Sequence, residues 1–286
     1  MGRVEGKVAF ITGGARGQGR AHAVRLAEEG ADIIAVDLCG QIDSVNYPMS
    51  TEADLAETAG LVEDLDRRIV TRQADVRDLG QLEAAVKAGL EEFGKIDIVI
   101  ANAGILSSAP AWELSVNAWQ DMIDINLTGA WKTARAAIPS MIERGEGGAI
   151  VLTSSNAGLI AFPNLAHYTA AKHGVTGLMK TLAVELAPHM IRVNSVHPTT
   201  VDTPMVDNPQ SYELLLGGVE GATRADAEQA MMALNALPIP WVEAIDVSNA
   251  VLYLVSDEAR YVTGMPLQVD AGGAAPYRLP HQPAAS

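Results

Sequence analysis

The sequence is poor in three things, and each lack excludes something. Cys39 is the one cysteine in 286 residues, so no internal disulfide can form and a reducing compartment is expected. Basic charge is short: 20 Lys and Arg face 35 Asp and Glu, a formal net charge of −15. That balance argues against nucleic acid or an anionic membrane surface as partner, and its plainest consequence is solubility. No run of 18 apolar residues occurs, so nothing reads as a membrane-spanning helix. A first strand by Val8 leaves no room ahead of it for a cleavable leader, and Gly6 stands where a myristoylation signal needs Ser or Thr. A cytoplasmic location is the expectation. No internal repeat or long linker is found, and no metal site is assigned.

What is present is a globular composition, 48% hydrophobic and 19% charged. Short apolar runs alternate with helical patterns throughout. Val8–Thr12, Asp32–Val36, Ile69–Gln73, Ile96–Ala101, Ala149–Leu152, Ile191–Val196 and Pro266–Val269 read as strands. Helices are expected over Ala21–Glu29, from Ser50 or Thr51 to about Asp66, and over Leu79–Phe93. More are expected over Val116–Arg144, from before Tyr168 to Ala187, and over Glu243–Asp257. Alternation of this kind predicts an α/β fold in one domain, a doubly wound parallel sheet with right-handed crossovers.

Two stretches carry chemistry. Gly13-Gly14-Ala15-Arg16-Gly17-Gln18-Gly19 joins the first strand to the first helix. Glycines there let main-chain N–H groups approach a pyrophosphate, and the helix N-terminus favours its charge. Asp37 ends the second strand 20 residues past Gly17. A carboxylate there can accept from both adenosine ribose hydroxyls and repels a 2′-phosphate, which selects NAD over NADP. Arg16 is a counter-signal, since a basic residue in the loop can pair with a phosphate; packing on the pyrophosphate or adenine is its plainer reading.

The second stretch is Thr153-Ser154-Ser155 with Tyr168 and Lys172. Ser155 lies 13 residues before Tyr168 and just past a strand, the edge where open parallel sheets bind ligands. Tyr168 and Lys172 are four apart, on one helix face. For a phenol to act as base near neutrality its ionisation must be eased by about 4 kcal/mol. An ammonium about 4 Å away supplies about that much at an effective dielectric near 20. A plain surface Tyr–Lys pair is the bland alternative.

Thr12-Gly13-x-x-x-Gly17-x-Gly19, Asn102-Ala103-Gly104, Asn126-x-x-Gly129, Ser155, Tyr168 and Lys172 together resemble the short-chain dehydrogenase/reductase family, over about Val8 to Gly273. The resemblance implies a hydride transfer between a nicotinamide and a secondary alcohol or ketone. Tyr168 takes the hydroxyl proton, Ser155 positions the oxygen, and Lys172 lowers the Tyr168 value and binds the nicotinamide ribose. Asn126 holds, through its carbonyl, a water leading to the lysine. The implied dinucleotide site comprises Gly13, Arg16, Gly17, Gln18, Gly19, Asp37, Leu38, Asp75, Val76, Asn102, Ala103, Gly104, Tyr168, Lys172, Val201 and Thr203. Asp75 would meet the adenine amino group, or simply cap a helix. Thr199 departs from the family's usual Pro-Gly. His197 is read as strand-end packing. A homotetramer is implied by the resemblance alone.

Leu38 to about Asp54 is longer than the family's usual connection. It resembles the subgroup that includes carveol dehydrogenases and the mycofactocin-coupled dehydrogenases of actinobacteria. There the inserted loop is expected to cover a tightly held NAD that an external carrier such as mycofactocin reoxidises. A decorative surface loop is the alternative. Residues 204–241 are expected to form a helical substrate lid, with Met205, Tyr212, Leu215, Met231, Met232, Leu234 and Trp241 making an apolar pocket; ordinary core is the plainer reading of each. The expected substrate is uncharged and apolar. The tail 274–286 is expected to be extended. Two rivals are an ordinary dehydrogenase with freely exchanging NAD(P) and a non-catalytic NAD-binding or sensing protein on the same scaffold.

Overall fold

In the computed structural model, residues 2–275 are described; most of the tail expected to be extended lies outside them. Seven parallel strands form one sheet in the order β3-β2-β1-β4-β5-β6-β9. They are β1 (Val8–Thr12), β2 (Asp32–Asp37), β3 (Ile69–Gln73), β4 (Ile98–Ala101), β5 (Gly148–Thr153), β6 (Ile191–Pro198) and β9 (Pro266–Val269). A separate two-stranded parallel ladder joins β7 (Val201–Asp202) to β8 (Val242–Glu243), with Val201 opposite Val242.

The strands read as apolar runs because both faces are covered, as a parallel sheet requires. Side chains alternate between two layers. Val8 and Phe10 of β1 point into one core with Val99, Ile150 and Val193, while Ala9 and Ile11 point into the other with Ile98, Ile100 and Val151. Helices α3 (Leu79–Phe93), α5 (Gly129–Arg144) and α6 (Ala166–Leu186) cover the first face through Leu82, Ala137, Met141, Val175 and Met179. Helices α1 (Gly17–Glu28), α2 (Glu52–Glu63) and α9 (Ala244–Val255) cover the second through Leu26, Val62 and Val251. Thr51 caps α2 in a reciprocal box with Asp54.

The strand order turns back between β1 and β4, so the crevice of the doubly wound sheet opens beside Gly13 and Asn102. The long helix expected over Val116–Arg144 is broken by a π turn, Asp124–Thr128, between α4 (Val116–Ile123) and α5. Such a turn interrupts the α-helical ladder and is common at functional positions. The segment 204–241 holds two short helices, α7 (Pro209–Leu215) and α8 (Arg224–Met232), and the β7–β8 ladder pins both of its ends together. Among the described residues no helix is long and apolar enough to cross a membrane.

Candidate active site

The glycine loop is shaped by close approach. A Cβ on Gly19 would stand 1.9 Å from the Gly13 carbonyl oxygen, and one on Gly13, whose φ is +69°, would stand 2.8 Å from Ala103 Cα. Asn102 braces this turn from the adjacent strand: its Nδ2 donates to the Thr12 and Gly13 carbonyls at 3.1 and 3.3 Å. The first turn of α1 has no acidic residue and no side-chain cap. Its N–H groups and dipole therefore suit an anion. Asp37 accepts from the Ala15 N–H at 3.0 Å, the Cys39 N–H at 3.2 Å and the Ser50 hydroxyl at 2.6 Å, which fixes the carboxylate at the cavity wall.

A cavity of about 140 Å³ runs along this edge. Gly13, Arg16, Gly17, Gln18, Asp37, Leu38, Asp75, Val76, Asn102, Ala103, Gly104 and Thr203 line it. Gly19 sits beneath the loop as a packing position. The Gln18 Oε1 is buried without a hydrogen-bond partner among the described residues. Glycines that admit no Cβ, a bare helix N-terminus and an acid at the second strand's end fit a dinucleotide. Asp75 does not cap a helix: Asp78 caps α3, and Arg77 holds the Asp75 carboxylate through its guanidinium at 2.7–3.1 Å. That pairing keeps the carboxyl below its usual range despite burial. Arg16 donates to the Pro48 carbonyl at 2.6 Å.

The inserted segment is folded, not decorative. The Gln41 side-chain amide donates to the carbonyls of Ile42, Val45 and Tyr47 and accepts from the Met49 N–H. Ile42, Val45 and Tyr47 are buried in the main core, and Ile42, Tyr47, Met49 and Ser50 wall the cavity. The Tyr47 hydroxyl accepts from the Leu106 N–H at 3.2 Å.

Beside this cavity lies a second of about 360 Å³; Gln18, Thr203 and Met205 border both. Ser155, Tyr168 and Val201 face the second cavity. Ser155 starts a 3-10 turn (Asn156–Gly158); its hydroxyl accepts from the Ala157 N–H and donates to Asn156 Oδ1, both at 3.1 Å. Lys172 is buried behind, and its ammonium donates to the Thr153 carbonyl at 2.8 Å. Asn126, 1% exposed and inside the π turn, spends its side chain on Ile105, accepting from its N–H at 2.8 Å and donating to its carbonyl at 2.9 Å. A Cβ on Gly104 would lie 3.2 Å from Asn126 Oδ1 and 3.7 Å from Lys172 Nζ, so these three adjoin.

Burial pushes the Tyr168 phenol up, and its hydrogen bond with Ser155 pulls the other way. The Lys172 ammonium stands 5.5 Å from the Tyr168 ring centroid, over the ring and directed to a carbonyl. Burial itself holds Lys172 down at about 8. Desolvation is the largest cause of both shifts.

The apolar wall was partly foreseen. Met205, Leu215, Met231 and Leu234 line the second cavity. Tyr212 instead packs in a satellite cluster with Ala222 and Ala227, and Trp241 lies beneath the Arg224 guanidinium, 4.4 Å from the ring centroid. Met232 is not among the lining residues. Leu106, Phe162, Leu165, Val206 and Leu214 also line it and were not anticipated. Phe162 and Leu165 sit in the loop between Ser155 and Tyr168, and their apolar character in a loop was the available signal.

The short chain dehydrogenase profile matches residues 7–213. (−)-trans-Carveol dehydrogenase of Rhodococcus erythropolis is 54% identical over 274 residues, 95% of this chain and 99% of that protein. The crystal structure of carveol dehydrogenase from Mycobacterium avium in complex with NAD is 58% identical, with a TM-score of 0.94 over 96% of this chain and 99% of that one. That of a short chain dehydrogenase from Mycobacterium paratuberculosis bound to NAD is 44% identical, with a TM-score of 0.89 over the same shares.

Proposed function

This chain belongs to the short chain dehydrogenase family, and from that premise we propose that it is an NAD-dependent oxidoreductase acting between an apolar secondary alcohol and its ketone, a cyclic alcohol like carveol first among them. The observation that carries the reading is the meeting of Ser155 and Tyr168 on an apolar cavity that shares Gln18 and Thr203 with the glycine-loop cavity.

NAD held across the first cavity would supply, in its oxidised form, the hydride acceptor and a positive charge. Ser155 donates to the substrate oxygen and holds it. Tyr168 accepts the hydroxyl proton. Lys172 supports the phenolate from behind and would hold the nicotinamide ribose. Asn126 keeps the π turn closed against Ile105, leaving its main-chain carbonyl for a proton-relay water. Asp37, seated by three donors, would hold the adenosine ribose hydroxyls. Leu214, Leu215 and Met231 exclude water from the reacting atoms. Tyr168→Phe is expected to leave NAD bound and abolish turnover of cyclic terpenoid alcohols; near-normal turnover would refute the base assignment.

The reading extends to retention of the cofactor. The inserted loop walls the first cavity with Ile42, Tyr47 and Met49 and is fastened at Arg16, Asp37 and Leu106. NAD is held through turnover and reoxidised by an external carrier such as mycofactocin. Prolonged dialysis tests this: complete loss of NAD followed by full turnover on re-addition rules retention out. The expected setting is the cytoplasm, and the expected assembly a homotetramer, measurable by sedimentation. Trp112, Val116 and Tyr261, each more than 80% exposed, are the apolar groups such contacts would cover.

A further inference from the structure

We propose that His197 is a positioning residue: from strand β6 it fixes the Ser155 main chain and so sets where the Ser155 hydroxyl points. The inference rests on the role proposed for Ser155.

The β5–β6 ladder ends at Thr153 opposite Val196, with one more rung from the Ser154 N–H to the Val196 carbonyl at 2.9 Å. Past that rung the chain leaves the sheet. Ser155 is extended, at φ −169° and ψ 166°, and begins the 3-10 turn. Two bonds of its hydroxyl, to Ala157 and Asn156, are internal to that turn, and a third runs to the Tyr168 phenol. The hydroxyl therefore moves with the turn. Thr176 holds the far end through the Gly158 carbonyl at 3.2 Å. At the near end the Ser155 carbonyl accepts from Gly158 N–H at 2.9 Å and from His197 Nδ1 at 2.8 Å.

Chemistry assigns the imidazole protons. A carbonyl oxygen only accepts, so Nδ1 must carry the hydrogen. Nε2 lies 2.7 Å from the Ser195 hydroxyl, which can donate to it. His197 is fully buried, and burial keeps the ring neutral, near 4, with Lys172 adding repulsion. Ser195 and His197 stand two apart on one strand and so on one face. A ring flip would leave both the Ser155 carbonyl and the Ser195 hydroxyl short of a partner. Packing at a strand end would not require this two-ended bond. The imidazole acts as a fixed strut between β6 and the serine turn, and touches neither cavity.

The test compares two amides. In His197→Asn the side-chain N–H reaches about where Nδ1 stood and can still donate to Ser155; in His197→Gln it reaches toward the Nε2 position. Expected are near-normal kcat for H197N and a fall of about tenfold to hundredfold for H197Q, with NAD affinity unchanged in both. Equal losses in the two, or a loss confined to H197N, overturn the proposal. A double-mutant cycle adds a second reading: in a Ser155→Ala background H197Q should cost nothing further, and full additivity overturns the strut. If S155A alone keeps normal turnover, the serine assignment fails instead. Should S155A leave too little turnover to read, or H197Q not fold, Ser195→Ala decides. It removes the hydroxyl that steadies Nε2 and should lower kcat with NAD binding intact, and an unchanged kcat overturns the proposal.

Discussion

Removing one oxygen from Tyr47 tests the inserted loop more sharply than deleting it. Tyr47 is 5% exposed, and its hydroxyl is the acceptor for the Leu106 N–H. Tyr47 walls the first cavity and Leu106 the second, so this one bond ties the loop over the dinucleotide site to the segment edging the substrate site. Tyr47→Phe keeps the ring and its packing. It strands a main-chain N–H with no acceptor, at about 1–3 kcal/mol. If the loop must lift before NAD can leave, the lifted fraction should rise about 5-fold to 150-fold, and the release rate with it. Release is read by trapping freed NAD with a second dehydrogenase, and stability by the denaturant midpoint on the same preparation. A lowered midpoint with unchanged release would show that the loop does not stand in the exit path and would refute retention by the loop. Arg16→Ala should release less, because its bond to the Pro48 carbonyl lies in solvent and is worth correspondingly little.

Gly19→Ala places a methyl 1.9 Å from the Gly13 carbonyl, so the loop must shift; NAD affinity should fall at least about tenfold by titration calorimetry, and unchanged affinity would contradict the close approach. Asp37→Ser removes the charge facing the adenosine ribose; the NAD-over-NADP preference in kcat/KM should shrink about tenfold or more, and an unaltered ratio would put cofactor choice elsewhere. Lys172 gives a signed pH effect. Its folded value is near 8 against an ordinary 10.5, so between these the unfolded chain binds a proton that the folded chain does not. Stability of the cofactor-free protein should therefore rise with pH across that window. Lys172→Met should flatten the rise, and parallel midpoints for both proteins at pH 7.5 and pH 10 would refute it.

Much of this was legible along the chain because the signals are local. Ile33, Ile34, Ala35 and Val36 of β2 are apolar on both faces because both faces are covered, and such a run is readable without knowing what covers it. The glycine loop is legible because only glycine tolerates the turn. The break in the long helix was foreshadowed by Asn126 and Gly129, poor formers at mid-helix, though not its π geometry. What escaped reading depends on which side chains pair once the chain is folded. Arg77, two residues on, pairs with the Asp75 carboxylate. Tyr212 goes to a satellite cluster because α8 packs on α7.

By itself the sequence determined the alternating α/β order, the glycine cradle, the acid at Asp37 and the four-residue spacing of Tyr168 and Lys172, since each is a matter of local period or local backbone freedom. Only the tertiary structure decided the burial of Lys172 behind Tyr168, the fastening of the inserted loop at Leu106 and the strut from His197 to Ser155. These follow from burial and from bonds between segments far apart in the chain, and neither desolvation nor a long-range hydrogen bond is written in any one stretch.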